Sequence, residues 1–118
     1  MSINNALASV AVSDVQSAVR WYEKLLGRPA DSKPMSEVAE WKFEGGGWLQ
    51  VYQNTDRAGM GSVTLAVSDL DEQIDDLRKS GIEPGAPLKS PMVIVVMIKD
   101  PDGNSIAFAQ ALDSAMAH

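Results

Sequence analysis

Two short segments of alternating hydrophobic and polar character each run directly into a segment of helical periodicity. Residues 7–12 and 62–67 carry apolar side chains on one face and mostly small or polar ones on the other, which is typical of half-buried strands. In 14–26 and 69–80 the apolar residues recur every three or four positions, which predicts amphipathic helices. The chain therefore contains a strand–helix unit twice.

The two units also have the same four residues at the junction between strand and helix. Ala-Val-Ser-Asp stands at 11–14 and again at 66–69, 55 positions later. The short oxygen-bearing side chains of Ser and Asp accept hydrogen bonds from the free amides of a helix's first turn. Gly27 and Gly81 follow the two periodic segments, and glycine is the residue that ends a helix in the left-handed conformation at lowest cost.

The repeat continues after each helix. Segments 44–53 and 101–110 align at an offset of 57, each as a glycine turn followed by a strand. Each is preceded by a further strand, and residues 82–88, rich in proline, are a candidate for a short irregular edge strand. The segment Asp100-Pro101-Asp102-Gly103-Asn104 is assigned to a turn. The strands that precede the two glycine turns are predicted at 37–43 and 92–99.

The predicted strands have two unlike faces. The bulky face is expected to pack under the helices: Val10, Val12, Leu49, Val51, Val63, Leu65, Ile106 and Phe108. The other face is too small and too polar to fill a core: Leu7, Ser9, Gln50, Tyr52, Ser62, Thr64, Ala107 and Ala109. A cavity beside this inner face is the natural expectation.

Composition narrows the functional classes. A chain of 118 residues fits one domain, and the absence of cysteine excludes disulfides and thiolate chemistry. A net charge of −6 disfavours nucleic acid as a partner. No apolar run spans a bilayer and the N-terminus has no signal-peptide pattern, so neither a membrane partner nor export is expected and the cytoplasm is the expected location.

Four features of the chain occur together: the twofold repeat, "AVSD" at each junction, "WYEKLLG" at the end of the first helix and "DPDGN" before the last strand. In this combination the chain closely resembles the vicinal oxygen chelate superfamily of glyoxalases, bleomycin resistance proteins and extradiol dioxygenases. The resemblance implies an α+β fold of two tandem βαβββ modules that curl around a cavity with helices outside. The modules would span about 5–54 and 60–111, with a tail at 112–118. The resemblance also implies a homodimer.

Enzymes of that superfamily hold a divalent metal ion on the inner face. The matching positions in this chain are Leu7, Gln50, Ser62 and Ala107, of which Gln50 alone has a useful donor. The single histidine, His118, is the last residue. We therefore expect no metal ion and no other cofactor.

The positive signal for function is aromatic. If the turn at Gly45-Gly46 pairs Phe43 with Trp48 and Trp41 with Gln50, then Trp41, Phe43, Trp48, Gln50 and Tyr52 all face the cavity. A slip of one residue would turn Trp41 and Phe43 to the other face. Aromatic walls bind planar or cationic ligands by stacking and cation–π contacts.

The leading hypothesis is a protein that binds a planar or cationic, antibiotic-like small molecule without altering it, as metal-free members of the superfamily do. The expected ligand site comprises Leu7, Ser9, Trp41, Phe43, Trp48, Gln50, Tyr52, Ser62, Thr64 and Ala107. The rival hypothesis is a metal-independent lyase, isomerase or dioxygenase-like enzyme, which would use Tyr52, or Glu40 if the strand slips. A third, an interaction domain, predicts a filled cavity. The loops 28–36 and 54–61 are candidate lids or rims of the pocket.

Overall fold

A computed structural model describes residues 2–112, which form two helices and eight strands in two βαβββ modules. No helix in this part of the chain is long and apolar enough to cross a membrane. The first module contains β1 (Leu7–Val12), α1 (Val15–Leu26), β2 (Ser32–Met35), β3 (Val38–Lys42) and β4 (Trp48–Gln53). The second contains β5 (Ser62–Ala66), α2 (Leu70–Lys79), β6 (Leu88–Lys89), β7 (Val93–Lys99) and β8 (Ser105–Ala111).

Each module forms one four-stranded mixed sheet. The strand orders are β1-β4-β3-β2 and β5-β8-β7-β6, with the first pair of each sheet parallel and the others antiparallel. β1 and β5 are equivalent edge strands, and they lie beside each other. We call the contact between β1 and β5 the seam. The predicted fold class, α+β with two tandem βαβββ modules, is confirmed.

The aspartate of each Ser-Asp pair caps its helix as expected, whereas the Ser13 hydroxyl donates to Asp102. The Asp14 side chain accepts from the Gln16 amide at 3.0 Å, and the Asp69 side chain accepts from the Glu72 amide at 3.1 Å. Gly27 ends α1 in the left-handed conformation, with φ of 77°. Local chemistry therefore determines where both helices begin and where α1 ends.

A glutamine at the end of each last strand completes the caps. Gln53 Oε1 accepts from the Val15 amide at 3.0 Å, and Gln110 Oε1 accepts from the Leu70 amide at 2.7 Å. Val15 and Leu70 are the first residues of α1 and α2. The aligned glutamines of the repeat therefore tie each module's last strand to its own helix, because a helix's first amides have no partner within the helix.

The bulky strand faces form the core under the helices. All eight residues predicted for that face belong to it or pack against it: Val10, Val12, Leu49, Val51, Val63, Ile106 and Phe108 are buried and Leu65 is partly buried. The helices add Tyr22, Leu25, Leu70 and Leu77 among others. Burial of each large apolar side chain contributes about 1.5–3 kcal/mol.

The predicted register of the β3–β4 hairpin is wrong by one residue. The Phe43 amide donates to Gly47 O at 2.9 Å, not to Trp48, and Gly46 has φ of 98°. A left-handed residue at this place closes a three-residue loop, which shifts β3 against β4 relative to the prediction. Strand β2 is a second correction, since it lies within the predicted loop 28–36.

The slip moves Trp41 into the core. It pairs with Leu49, is fully buried and donates from Nε1 to Arg28 O at 3.0 Å. Its ring lies 6.1 Å from that of Tyr22, centroid to centroid. Phe43 is partly buried against the same core. The prediction that Trp41 and Phe43 join the inner face is therefore incorrect, because an indole with a hydrogen-bond partner fills a core position under α1.

Candidate functional site

The inner face of the first sheet carries a row of hydrogen-bonded polar side chains across three strands. Ser9 on β1 donates from Oγ to Gln50 Oε1 at 3.2 Å. Gln50 on β4 donates from Nε2 to Glu40 Oε2 on β3 at 3.0 Å. Glu40 is half-buried, and it reaches this face because of the register slip. The row therefore ends in a carboxylate that the predicted register had turned away.

Aromatic side chains flank this row on both sides. Trp48 lies between Leu7 and Lys42 in one neighbouring row, with Lys42 Nζ 5.9 Å from its ring centroid. Tyr52 lies on the other side of Gln50, at the next inward position of β4. Both rings are partly exposed. This face therefore offers two aromatic groups, an amide and a carboxylate within one patch.

The inner face of the second sheet is small and mostly apolar. Thr64 pairs with Ala107, and Ala107 pairs with Met97 on its other side. Ser62, two residues before Thr64, lies on the same face. Met97 is 42% exposed. This sheet supplies a mostly apolar surface with polar groups at one end, where Ser105 pairs with both Ser62 and Lys99 and the Lys99 ammonium donates to Ser105 Oγ at 3.3 Å.

The four positions that correspond to the superfamily's metal ligands do not form a metal site. Leu7 and Gln50 lie on the first sheet and Ser62 and Ala107 on the second. Leucine and alanine side chains have no donor atom, and a neutral amide and hydroxyl are weak ligands without carboxylate or imidazole. Within residues 2–112 no cluster of three His, Cys, Asp or Glu side chains could hold a metal ion. His118 lies outside the described residues.

A cavity of about 700 Å³ lies at one end of the seam, between the two modules. It is lined by residues of β1, α1, the β3–β4 loop, β5 and α2. Of the predicted ligand-site residues it brings together Leu7, Phe43, Trp48 and Thr64. The others lie elsewhere: Ser9, Gln50, Tyr52, Ser62 and Ala107 are on the inner faces, and Trp41 is in the core. Of the four positions Leu7, Gln50, Ser62 and Ala107, this cavity includes Leu7 alone.

The other end of the seam is closed by a buried polar network. Asn104 Nδ2 donates to Ala11 O at 2.8 Å and to Asp100 Oδ2 at 2.7 Å, and its Oδ1 accepts from the Gly61 amide at 2.8 Å. Tyr22 Oη donates to Asp100 Oδ2 at 2.7 Å. Burial, together with the neighbouring Asp100 carboxyl, raises the pKa of the Tyr22 hydroxyl.

The sequence interpretation had missed this network. The segment that supplies Asp100 and Asn104 was assigned to a turn, and it does form one. Both residues are also almost fully buried, at 4% and 0% exposure. The sequence did contain a signal for this network. The turn carries several oxygen-bearing side chains in the second module, whereas the equivalent turn of the first module does not.

The sequence-family model of the glyoxalase/bleomycin resistance protein/dioxygenase superfamily matches residues 3–108 of this chain. The chain belongs to this superfamily. No curated protein has a significantly similar sequence. The superfamily assignment therefore rests on the family model and on solved structures.

Solved structures share both the fold and its extent. A glyoxalase/bleomycin resistance protein from Catenulispora acidiphila is 34% identical, with a TM-score of 0.82 and coverage of 92% of this chain and 98% of that one. TnmS3, an antibiotic-binding protein from Streptomyces sp. CB03234, is 26% identical, with a TM-score of 0.81 and coverage of 94% and 98%. A bleomycin-binding protein solved with bleomycin has 20% identity, a TM-score of 0.75 and coverage of 92% and 98%, and shows the shared fold.

Proposed function

We propose that this protein binds a planar, antibiotic-like small molecule on the inner faces of its sheets and releases it chemically unchanged. The observation that carries the proposal is the patch in which Trp48 and Tyr52 flank the Gln50–Glu40 pair. Stacking on partly exposed rings contributes about 0.5–2 kcal/mol per contact. The antibiotic-binding relative at 26% identity supports the same class of ligand.

The charge of the patch favours a ligand that carries a positive group. Glu40 is held by the neutral amide of Gln50, and among the described residues neither of the two ion pairs involves it. Among the described residues, Lys42 on this sheet and Lys99 on the other inner face carry the opposing charge, and the Lys42 ammonium lies over Trp48. A net charge of −6 adds attraction for cations at longer range.

A homodimer is part of the proposal, as is a cytoplasmic location. Three large apolar side chains are prominently exposed on the inner faces: Leu7 at 43%, Met97 at 42% and Leu88 at 65%. A second copy that covers these faces would complete a groove and remove the apolar surface from water. Light scattering after size exclusion should give a mass near twice 12.7 kDa, and a concentration-independent monomer would contradict the dimer.

Titration with a matched pair of probes tests the binding. Isothermal titration with 9-aminoacridine, a planar cation at neutral pH, and with acridine, its largely neutral parent, measures stacking and charge separately. We expect saturable binding of both probes and tighter binding of the cation, because Glu40 attracts it. Absence of binding across these probes and a wider panel of aromatic cations would refute the proposal.

Two variants locate the site. Gln50→Ala removes the amide that orients Glu40 and should weaken 9-aminoacridine binding about 3- to 10-fold, which is the range of one hydrogen bond. Gln16→Ala makes the same change on the exposed side of α1 and should leave the affinity within twofold of wild type. Equal effects of the two variants would place the ligand elsewhere.

A metal-independent enzyme is the second candidate, and one observation favours it. The register slip puts the Glu40 carboxylate on the inner face beside Gln50, where it could act as a general base. In that case a bound substrate would be recovered altered, and Glu40→Gln would abolish turnover while retaining stacking. Mass spectrometry of the ligand after prolonged incubation with the protein distinguishes the two functions.

A further inference from the structure

The two ends of the seam are equivalent positions of the repeat, yet they differ in chemistry. An offset of 57 relates Asp100, Asp102 and Asn104 to Phe43, Gly45 and Gly47. An offset of 55 relates the network's other partners, Ala11, Gly61 and Tyr22, to Ala66, Ala6 and Leu77. Five of these six counterparts line the cavity of about 700 Å³, and Leu77 does not. The cavity therefore occupies the place that the polar network fills at the opposite end.

Glycine residues explain why no side chain fills the cavity at this end of the seam. Where Asn104 reaches across the seam to Ala11, its counterpart Gly47 has no side chain to reach Ala66. A Cβ built on Gly45 or Gly47 meets no heavy atom within 4 Å. Neither glycine has a positive φ, so the backbone does not require glycine at these positions.

We propose that this cavity is a second binding site, for a neutral and largely apolar small molecule. Its volume lies in the range of sites for drug-sized ligands. None of the described residues that line it carries a formal charge, although the whole chain carries −6. A charged ligand would lose its hydration there without a partner, whereas an apolar one would cover Leu25, Leu65 and Phe108.

The site offers a small number of polar contacts to orient such a ligand. Thr64 on β5 and Gln73 on α2 are the residues of the lining with polar side-chain groups other than the Trp48 indole. They suit a ligand with one or two hydrogen-bonding atoms on an apolar body. Trp48 belongs both to this lining and to the inner-face patch, but the charge of the two sites differs, because Glu40 lies in the patch alone.

Filling the cavity from one of its glycines is the direct test. The probe is N-phenyl-1-naphthylamine, a neutral apolar fluorophore whose emission rises in apolar surroundings. Gly47→Leu should weaken its binding at least tenfold, because the new side chain has room to enter the cavity. Gly85→Leu is the matched control: an added Cβ there lies 3.5 Å from Met97 O, an ordinary contact, and Gly85 does not line the cavity.

The outcomes separate this inference from the proposed function. Loss of probe binding in Gly47→Leu, retention in Gly85→Leu and no displacement of the probe by 9-aminoacridine would support a second site. Unchanged affinity in Gly47→Leu, or full displacement by 9-aminoacridine, would overturn it. A change from dimer to monomer in Gly47→Leu would also overturn it, since the cavity would then be covered by a second copy. Failure of both acridine probes and of the wider panel of aromatic cations to bind would refute the proposed function alone.

Discussion

Asn104 is the residue whose replacement should be most informative about how the two modules are held together. Its side chain joins β1, the start of β5 and the turn before β8 through three hydrogen bonds of 2.7–2.8 Å. The residue is fully buried. The substitution Asn104→Ala removes all three bonds and leaves the Gly61 amide, the Ala11 carbonyl and the Asp100 carboxyl each short of one partner.

The expected cost follows from those three groups. A buried polar group left without a partner costs about 1–3 kcal/mol, and more if it is charged. Asp100 keeps its bonds from Tyr22 and from two backbone amides, so its loss is partial. We therefore expect the free energy of unfolding to fall by about 3 kcal/mol. That is a large fraction of the roughly 5–15 kcal/mol typical of a domain.

Urea unfolding followed by circular dichroism measures this change, and thermal unfolding should show a decrease in Tm of about 10 °C. Asn54→Ala is the matched control. The Asn54 side chain accepts one exposed bond, from the Arg57 amide at 3.2 Å, so its loss should cost less than about 1 kcal/mol. If the two variants were equally stable, the network would not hold the seam and this reasoning would be refuted.

Three further variants test separate contacts. Tyr22→Phe removes the buried bond to Asp100 and should lower the free energy of unfolding in urea by about 2 kcal/mol; a loss below about 0.5 kcal/mol would contradict it. Gly59→Ala should cost about 2 kcal/mol or more in the same assay, because the added Cβ would lie 2.3 Å from Asp102 O at a φ of +85°; wild-type stability would show that the loop relaxes freely. Asp14→Ala should cost about 1 kcal/mol through loss of the α1 cap, measured by thermal unfolding, and an unchanged Tm would rule that role out.

The fold was predictable because the signals that determine it are local and occur twice. Alternation, helical periodicity and the Ser-Asp caps each depend on neighbouring residues, and the structure confirms the strands and helices built from them. The β1 bounds 7–12 agree fully with the prediction, and both helices agree to within one residue at each end. Strand β2 was missed because Ser32–Met35 lacks alternation and includes Pro34.

The site was predicted less well because its geometry depends on the register of one hairpin. Three consecutive glycines, Gly45 to Gly47, allow more than one loop length. A shift of one residue exchanges the two faces of β3, so that Trp41 enters the core and Glu40 reaches the inner face. The alternation of Ala39, Trp41 and Phe43 with the charged Glu40 and Lys42 was the signal available within this segment, because it favours the core for the apolar set.

The departures from the repeat are more informative about function than the repeat. Residues that both modules keep, such as Gln53 and Gln110, serve each module's own helix. Residues that differ between equivalent positions, such as Gly47 and Asn104, lie at the seam, where one end is closed by hydrogen bonds and the other borders an open cavity. A perfectly symmetric pair of modules would close both ends or neither. The asymmetry therefore combines hydrogen bonds between the modules at one end with an open cavity at the other, which requires different residues at the two ends.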